Sequence, residues 1–422
     1  MPKKGFFTIV GPWILYLSII FLFNIEFEKI NIIVFLPIIV AIILSMFFFF
    51  LGYKNSYNKI QYHDFISTKK NFTILAEPLY IKQLVILALI GCVFNLYFDI
   101  VRTINNEMFR SLTDQDANFL YSLRISKNTS AELIGSNFQF ISKALYSLSF
   151  FFYIYKLTKK YIFYQWIIII LSLINCLLTG GRFYILYYLI IFITSKAAYN
   201  NVKISNYFTF KNFIIFLIIF YGLLLSFSLR APDDFDILNY YKYTNGIKSM
   251  ALEYVDFGIF NELRNNLLIL IIHITQSLYF FSMHYDLFGF SAYAYGGYTF
   301  NLPVRIINTI FNFNLSTIQD FYGIDYTIGR YSTFAKGLIS DFGIIGMLVF
   351  NSFCSYMLGI STNYKDLYFS YRIIYYWLLV FFLMAPMFNL IQSGYINIMF
   401  IFLIFYTVIE VRKKRIYGAN NG

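Results

Sequence analysis

Long apolar runs recur along this chain of 422 residues, and short polar stretches separate them. Their length, roughly 17–25 residues, is what an α-helix needs to cross about 30 Å of hydrocarbon. The pattern predicts an all-α polytopic integral membrane protein, with a single membrane domain over residues 1–422 and about ten to twelve transmembrane helices. The clearest spans are 6–23, 32–51, 84–101, 138–155, 162–178, 183–195, 213–229, 338–360, 373–388 and 396–411.

The loops between these spans predict which side of the membrane each one faces. Every second loop is rich in lysine, as are both ends of the chain, so the positive-inside rule places both termini in the cytoplasm. Two sizeable outer loops result, a medium one (102–137) and a large one (230–337). The large loop contains the apolar run 267–283 and the weaker stretch 298–315, which includes Pro303. We expect these two stretches to form a re-entrant or interfacial helix pair; two further crossings are the alternative.

Composition supports the membrane class and gives no indication of nucleic-acid binding, a metal or a nucleotide cofactor. Only 13% of the residues are charged, against about 25% in average soluble domains, and the mean hydropathy is +0.63. The net charge of +12 comes from the inner lysines, so it reflects membrane topology rather than nucleic-acid binding. The cysteines lie far apart and no nucleotide-binding or zinc-protease motif occurs, so no cofactor and no metal are expected. Phenylalanine and tyrosine share AT-rich codons with the abundant Ile, Asn and Lys, so the aromatic excess is assigned no function.

Arginine is distributed differently from lysine. Most lysines fall on the predicted inner side, whereas most arginines fall on the outer side: Arg102, Arg110, Arg124, Arg182, Arg230, Arg264, Arg305 and Arg330. A guanidinium group binds phosphate oxygens with two parallel hydrogen bonds and stays charged when it is desolvated. The pattern therefore indicates a lipid ligand that carries phosphate or pyrophosphate at the outer face. The alternative is that the positive-inside rule concentrates lysine on the inner side, and that the outer arginines are simply the basic residues left on the other side.

Arg182 is the strongest of these candidates. It lies in LLTGGRFYIL (177–186), where Gly180 and Gly181 allow a tight turn and a close approach of the backbone to a ligand. Free N–H groups at the start of the next helix would add affinity for an anion. The alternative is an interfacial arginine whose side chain extends to water. Arg230, in SFSLRAPDD, is a second candidate, either for the ligand or for an ion pair with the aspartates that follow it.

Two ionisable residues are candidate catalytic groups. His273 lies within the apolar run 267–283, where an ionisable side chain indicates function; the alternative is a helix histidine with satisfied hydrogen bonds. His284, at the end of that run, is a weaker candidate. Asp341 opens a span in ISDFGIIG, and it either caps the start of that helix or acts as a general base. Three further arginines near these positions complete the candidate contacts to pyrophosphate and glycan: Arg264, Arg305 and Arg330.

Together these features resemble the bacterial oligosaccharide repeat-unit polymerases, the O-antigen polymerase or Wzy-type family. The resemblance rests on LLTGGRFYIL (177–186), on YGGYTFNLPVR (295–305), and on YSTFAKGLISDFGIIG (331–346), which enters a span after a large outer loop. The chain departs from the RX10G pattern of some family loops, because none of the five candidate arginines has glycine eleven positions later. The resemblance implies a GT-C-like polymerase or ligase architecture with a large periplasmic loop.

The resemblance also implies a reaction. A growing glycan on undecaprenyl pyrophosphate is transferred to the sugar end of another lipid-linked repeat unit, at the outer face of the bacterial inner membrane. The implied partners are the donor and acceptor lipids, a chain-length regulator and a flippase, but no nucleic acid. A mechanism without a metal is compatible with the residues, with arginines neutralising the diphosphate and His273 or Asp341 accepting the proton.

Two other classes of protein share parts of this pattern. An O-antigen ligase has the same architecture and is the nearest alternative enzyme. A lipid-linked oligosaccharide flippase or transporter is the other alternative, and the large loop 230–337 argues against it because such proteins are typically built from repeats with short loops.

Overall fold

A computed structural model describes residues 2–66, 81–105, 145, 159–178, 237–258, 261–300, 304, 307–308, 310–316, 333–365 and 369–387. The predicted spans 183–195, 213–229 and 396–411 lie outside these residues, as does span 138–155 apart from residue 145. Most of the outer loop 102–137 also lies outside them.

The described part of the chain is mostly helical. Three helical stretches are long and apolar enough to cross a membrane, namely Ile32–Asn58, Leu263–Phe288 and Phe334–Tyr364. In its general form the prediction of a helical membrane protein is therefore confirmed. Among the described residues the α-helices are, in chain order, α1 Pro2–Ile9, α2 Gly11–Leu22, α3 Phe35–Ile66, α4 Ile81–Asn105, α5 Lys159–Leu178, α6 Ile237–Thr244, α7 Asn261–Phe288, α8 Phe334–Tyr364 and α9 Phe369–Met384.

The chain divides into two compact units. The first comprises Met1–Pro78, Lys242–Tyr254 and Ile271–Gly422, and the second comprises Leu79–Tyr241 and Val255–Leu270. The boundary between them falls within α7. In the second unit α4 packs against α5, and the Cys92 Sγ lies 3.9 Å from the Ser172 Oγ.

In the first unit α3 and α8 pack closely along small residues. A Cβ atom on Gly52 would overlap the Tyr356 carbonyl oxygen, and one on Gly359 would overlap the Phe49 carbonyl oxygen. The Asn351 amide crosses the same interface and donates to the Ala41 carbonyl oxygen at 3.1 Å. Small residues that let two backbones approach, joined by polar side chains, are typical of helix pairs within membranes.

The first predicted span comprises two helices that are separated by one residue. Residues 6–23 form the end of α1 and all of α2, with Pro12 in the first turn of α2. Proline lacks an N–H but is tolerated there, because the first N–H groups of a helix have no intrahelical acceptor. Val10 between the two helices keeps helical dihedral angles, and its N–H donates to the Phe6 carbonyl oxygen at 2.8 Å. The interruption is therefore slight.

The loop that joins α2 to α3 contributes one strand to a two-stranded antiparallel ladder. Strand β1 (Glu26–Phe27) pairs with β2 (Ile247–Ser249), and the sequence did not predict either strand because each is only two or three residues long. The same loop reaches the end of α7, where the Lys29 Nζ lies 2.9 Å from an Asp286 carboxylate oxygen. The Asn31 N–H also donates to the Ser282 Oγ at 2.7 Å.

These contacts bear on the apolar run 267–283, which forms the middle of α7. Helix α7 is long enough to cross, but β2 before it and Asp286 at its end both contact the loop 24–31. Both alternatives, a crossing and a re-entrant or interfacial helix, stay predictions for this run. In the stretch 298–315, residues 298–300 are turn residues, and residues 304, 307–308 and 310–311 are helical.

Helix α8 is interrupted at Gly343, which has φ 66° and ψ −177°. Phe334 and Asn351 line one small cavity, although a straight helix would hold them about 25 Å apart along its axis. The first segment, residues 334–342, therefore turns back on the second, residues 344–364. We refer to residues 334–342 as the buried half-helix, because every residue from Phe334 to Asp341 is buried. Broken helices persist at membrane depth where the rest of the protein surrounds them.

Candidate functional site

Asp341, at the end of the buried half-helix, binds the backbone of a distant loop. One carboxylate oxygen accepts hydrogen bonds from the N–H groups of Gly296 at 3.0 Å and Tyr298 at 2.8 Å. The other oxygen accepts from the Thr299 N–H at 2.5 Å. The side chain is 1% exposed. Hydrogen bonds from several N–H groups stabilise the ionised carboxylate, which would otherwise be costly to bury.

This arrangement corrects one expectation for Asp341. The residue does not open a helix: α8 begins at Phe334, and the helix start carries no side-chain cap. Both carboxylate oxygens are buried and hold the loop through these hydrogen bonds. The role of Asp341 as a general base stays a prediction.

The loop held by Asp341 is also bound by the residue before it. The Ser340 carbonyl oxygen accepts the N–H groups of Tyr293 and Ala294, both at 2.8 Å. Between these anchors the chain makes a tight turn, closed by the Gly297 N–H bonded to the Ala294 carbonyl oxygen at 2.7 Å. Its two central residues, Tyr295 and Gly296, have φ of 45° and 94°. We call residues 293–299 the clamped loop.

Lys336 lies fully buried in the half-helix, and the sequence analysis did not select it. Its Nζ lies 3.4 Å from the Tyr298 hydroxyl and 5.2 Å from the centre of the Tyr298 ring. Tyr298 is itself fully buried. A ring face and a hydroxyl together stabilise an ammonium group that has lost its water. A lysine on the predicted outer side, within an apolar segment, was the sequence signal that could have identified it.

His284 lies beside the half-helix, at the C-terminal end of α7. Its Nε2 is 3.5 Å from the Ser340 Oγ, and its ring is fully buried next to the rings of Phe288 and Tyr293. The sequence ranked this histidine below His273. The structure brings His284, rather than His273, close to the residues around Asp341.

His273 and Arg264 lie on the earlier part of α7. The His273 ring is half-buried, and its Nδ1 lies 3.3 Å from the Gln276 Nε2. The Arg264 guanidinium donates to the Val255 carbonyl oxygen at 2.8 Å and to the Asn265 side chain. It lies near Asp256, whose pKa is lowered mainly by hydrogen bonds from Asn261 and the Gly258 N–H, and further by the charge of Arg264.

The remaining candidates lie outside the described residues: Arg182, Gly180, Gly181, Arg230, Arg305 and Arg330. Their roles stay predictions. Among the residues that the structure describes, no group of three His, Cys, Asp or Glu side chains is arranged to hold a metal ion.

Fold and composition define a helical membrane protein, with a buried polar cluster where the half-helix meets the clamped loop. No protein-family model, curated protein or solved structure matches the chain.

Proposed function

We propose that this protein is a glycosyltransferase that polymerises lipid-linked oligosaccharide repeat units at the outer face of the bacterial inner membrane. Its donor and acceptor would be glycans on undecaprenyl pyrophosphate, and its product an O-antigen or a related surface polysaccharide. In this proposal the chain has a GT-C-like arrangement of about ten to twelve transmembrane helices, with both termini in the cytoplasm. A chain-length regulator and a flippase would act beside it.

One observation carries the proposal. Two of the three sequence segments that resemble the polymerase family, 295–305 and 331–346, are distant in sequence but meet at Asp341. The segment 331–346 supplies the buried carboxylate, and the segment 295–305 supplies the N–H groups that bind it. Such a contact is not expected between two segments with unrelated roles. Their meeting supports the view that the resemblance marks one site.

The chemistry requires a nucleophile, a leaving group and a proton acceptor. A hydroxyl oxygen of the acceptor sugar attacks C1 of the donor glycan, and the bond from C1 to the pyrophosphate oxygen breaks. The hydroxyl proton passes to a base, for which His273 and Asp341 are the candidates from the sequence. Undecaprenyl pyrophosphate leaves, with its growing negative charge neutralised by outer arginines, of which Arg182 is the first candidate.

A ligase that joins glycan to a lipid core would use the same donor and the same leaving-group chemistry. A flippase would use the same lipid without breaking a bond. The large predicted outer loop and the buried polar cluster support an enzyme over a flippase, but they do not separate a polymerase from a ligase.

Deleting the gene separates the three classes, with electrophoresis of the surface glycan as the measurement. Loss of a polymerase leaves one repeat unit attached to the lipid core, and we expect that result. Loss of a ligase leaves no repeat attached, and loss of a flippase traps repeat units at the inner leaflet. A ladder of long chains that survives the deletion contradicts the proposal.

A further inference from the structure

Tyr295 is unusual in both its backbone and its exposure. It occupies the first central position of the turn Ala294–Gly297, with φ of 45°, and its side chain is 80% exposed. Two consecutive central residues with positive φ form the pattern of a type I′ turn, whose first central position favours Asn, Asp or Gly. A bulky residue there is strained, because its Cβ crowds the backbone.

The neighbouring contacts impose this conformation on Tyr295. Residues on one side of it are held by the Ser340 carbonyl oxygen, and residues on the other side by the Asp341 carboxylate. Strained residues persist where the surrounding structure determines them, and they occur most often at functional sites. The clamped loop thus holds one large aromatic ring outward on a backbone that has little freedom to move.

We propose that Tyr295 is a sugar-binding residue, whose ring stacks against a pyranose ring of the lipid-linked glycan. This inference rests on the proposed function and adds a subsite to it. The C–H face of a sugar ring is apolar, so it packs well on an aromatic face, while the hydroxyls around its edge stay hydrated. A ring that is fixed before binding loses little conformational entropy when the sugar arrives, which increases affinity.

The geometry favours a sugar over the lipid bilayer as the partner of this ring. Tyrosines that anchor a protein at the membrane interface need only the right depth. They gain nothing from a strained turn that is held from both sides. A stacking platform does gain, because the orientation of its ring determines whether the sugar face can pack on it.

Because the backbone of Tyr295 is strained, substitutions at this position can change sugar binding without destabilising the fold. In Tyr295→Asn the new residue tolerates positive φ, so the turn is relieved while the ring is lost. In Tyr295→Phe both the ring and the strain remain. Tyr254 is the matched control, because it is also 80% exposed and lies outside the positive-φ residues of the described chain.

The experiment uses the full-length protein in lipid nanodiscs. The probe is the oligosaccharide repeat unit released by mild acid from its lipid pyrophosphate in an extract of the same cells, and binding is measured by calorimetry. We expect Tyr295→Asn to bind it about 3- to 10-fold more weakly than the parent protein, without a lower midpoint of thermal unfolding. Tyr295→Phe and Tyr254→Asn should bind it within about 2-fold of the parent.

Three results would overturn the inference. One is parent-like binding by Tyr295→Asn, and another is an equal loss in Tyr254→Asn. The third is a clear fall in the unfolding midpoint or membrane content of Tyr295→Asn, which would make the ring a packing or anchoring residue. The proposed function fails separately, if the gene deletion leaves the glycan ladder unchanged. If the deletion abolishes the glycan ladder and a gene encoding Tyr295→Asn restores it fully, the proposed subsite is wrong but the proposed function stands.

Discussion

Asp341 shows how a carboxylate is kept inside an apolar segment. Its carboxylate accepts hydrogen bonds from three backbone N–H groups, and all three belong to the clamped loop. The loop gains a fixed shape in return, since those N–H groups would otherwise need other acceptors. The residue therefore acts through the loop that it holds.

This role predicts the effect of Asp341→Asn. An asparagine side chain has one oxygen, so at least one backbone N–H would face an amide N–H instead of an acceptor. We expect a loss of about 1–3 kcal/mol in the free energy of unfolding, because a buried donor left without an acceptor costs that much. Thermal unfolding of the purified protein in detergent measures this loss, and electrophoresis of the surface glycan measures polymer formation in the same variant. Loss of polymer with an unchanged unfolding midpoint would instead indicate a general base.

Arg182 carries a prediction of a different kind. We expect Arg182→Ala to abolish long glycan chains while the amount of protein in the membrane stays normal. Arg182→Lys should fail as well, since lysine keeps the charge but cannot make the two parallel hydrogen bonds to a phosphate. Electrophoresis of the glycan with an immunoblot of the membrane fraction tests both. An unchanged ladder in both variants would remove Arg182 from the mechanism.

The sequence could identify some of these residues but not their surroundings. It selected Asp341 because a charge beside an apolar span is costly, but the N–H donors that bind it lie more than 40 positions away. Lys336 and Tyr295 were missed for related reasons. Lys336 carried one local signal, a lysine within an apolar segment on the predicted outer side. Its burial and the turn around Tyr295, however, both result from the half-helix meeting the clamped loop, which no local pattern predicts.

At the scale of elements, the break in α8 depends on one glycine. Apolar residues flank Gly343 on both sides, so hydropathy predicted a single span over 338–360. The backbone of Gly343 lies in a region of φ and ψ that is accessible essentially only to glycine. Its conformation allows the half-helix to turn back, and it thereby brings Asp341 to the clamped loop.

Gly343→Ala should weaken this break. The nearest atom to an added Cβ is the Phe290 carbonyl oxygen at 3.5 Å, so space is sufficient and the cost comes from the backbone. We expect a loss of about 1–3 kcal/mol in the free energy of unfolding. Gly11→Ala is the control, because no atom lies within 4 Å of its added Cβ and φ there is negative; its effect should stay within about 1 kcal/mol. Equal unfolding midpoints for the two variants would show that the break carries no strain.

At the scale of the whole chain, the contacts of the loop 24–31 bear on topology. Hydropathy and lysine placement assign that loop and the region 230–337 to the same outer side. The structure adds contacts that do not depend on the positive-inside rule: the loop pairs with β2, which precedes α7 in the chain, and its Lys29 binds Asp286 at the end of α7. The sequence predicts about ten to twelve apolar spans and a side for each loop, and both remain predictions. It could not distinguish a crossing from a returning helix, because both need the same apolar residues.

Labelling of single cysteines tests this topology directly. In a variant whose native Cys92, Cys176 and Cys354 are replaced, we expect Ser291→Cys to react with a membrane-impermeant maleimide in intact cells. Ser291 is exposed just after α7, so its labelling reports the side on which that helix ends. Asn420→Cys, near the predicted cytoplasmic end, should react only after the membrane is permeabilised. If Ser291→Cys also needs permeabilisation, the predicted side of the end of α7 and of the loop 24–31 that contacts it is wrong. Tyr295 then faces the cytoplasm, where no outer-leaflet glycan can reach it.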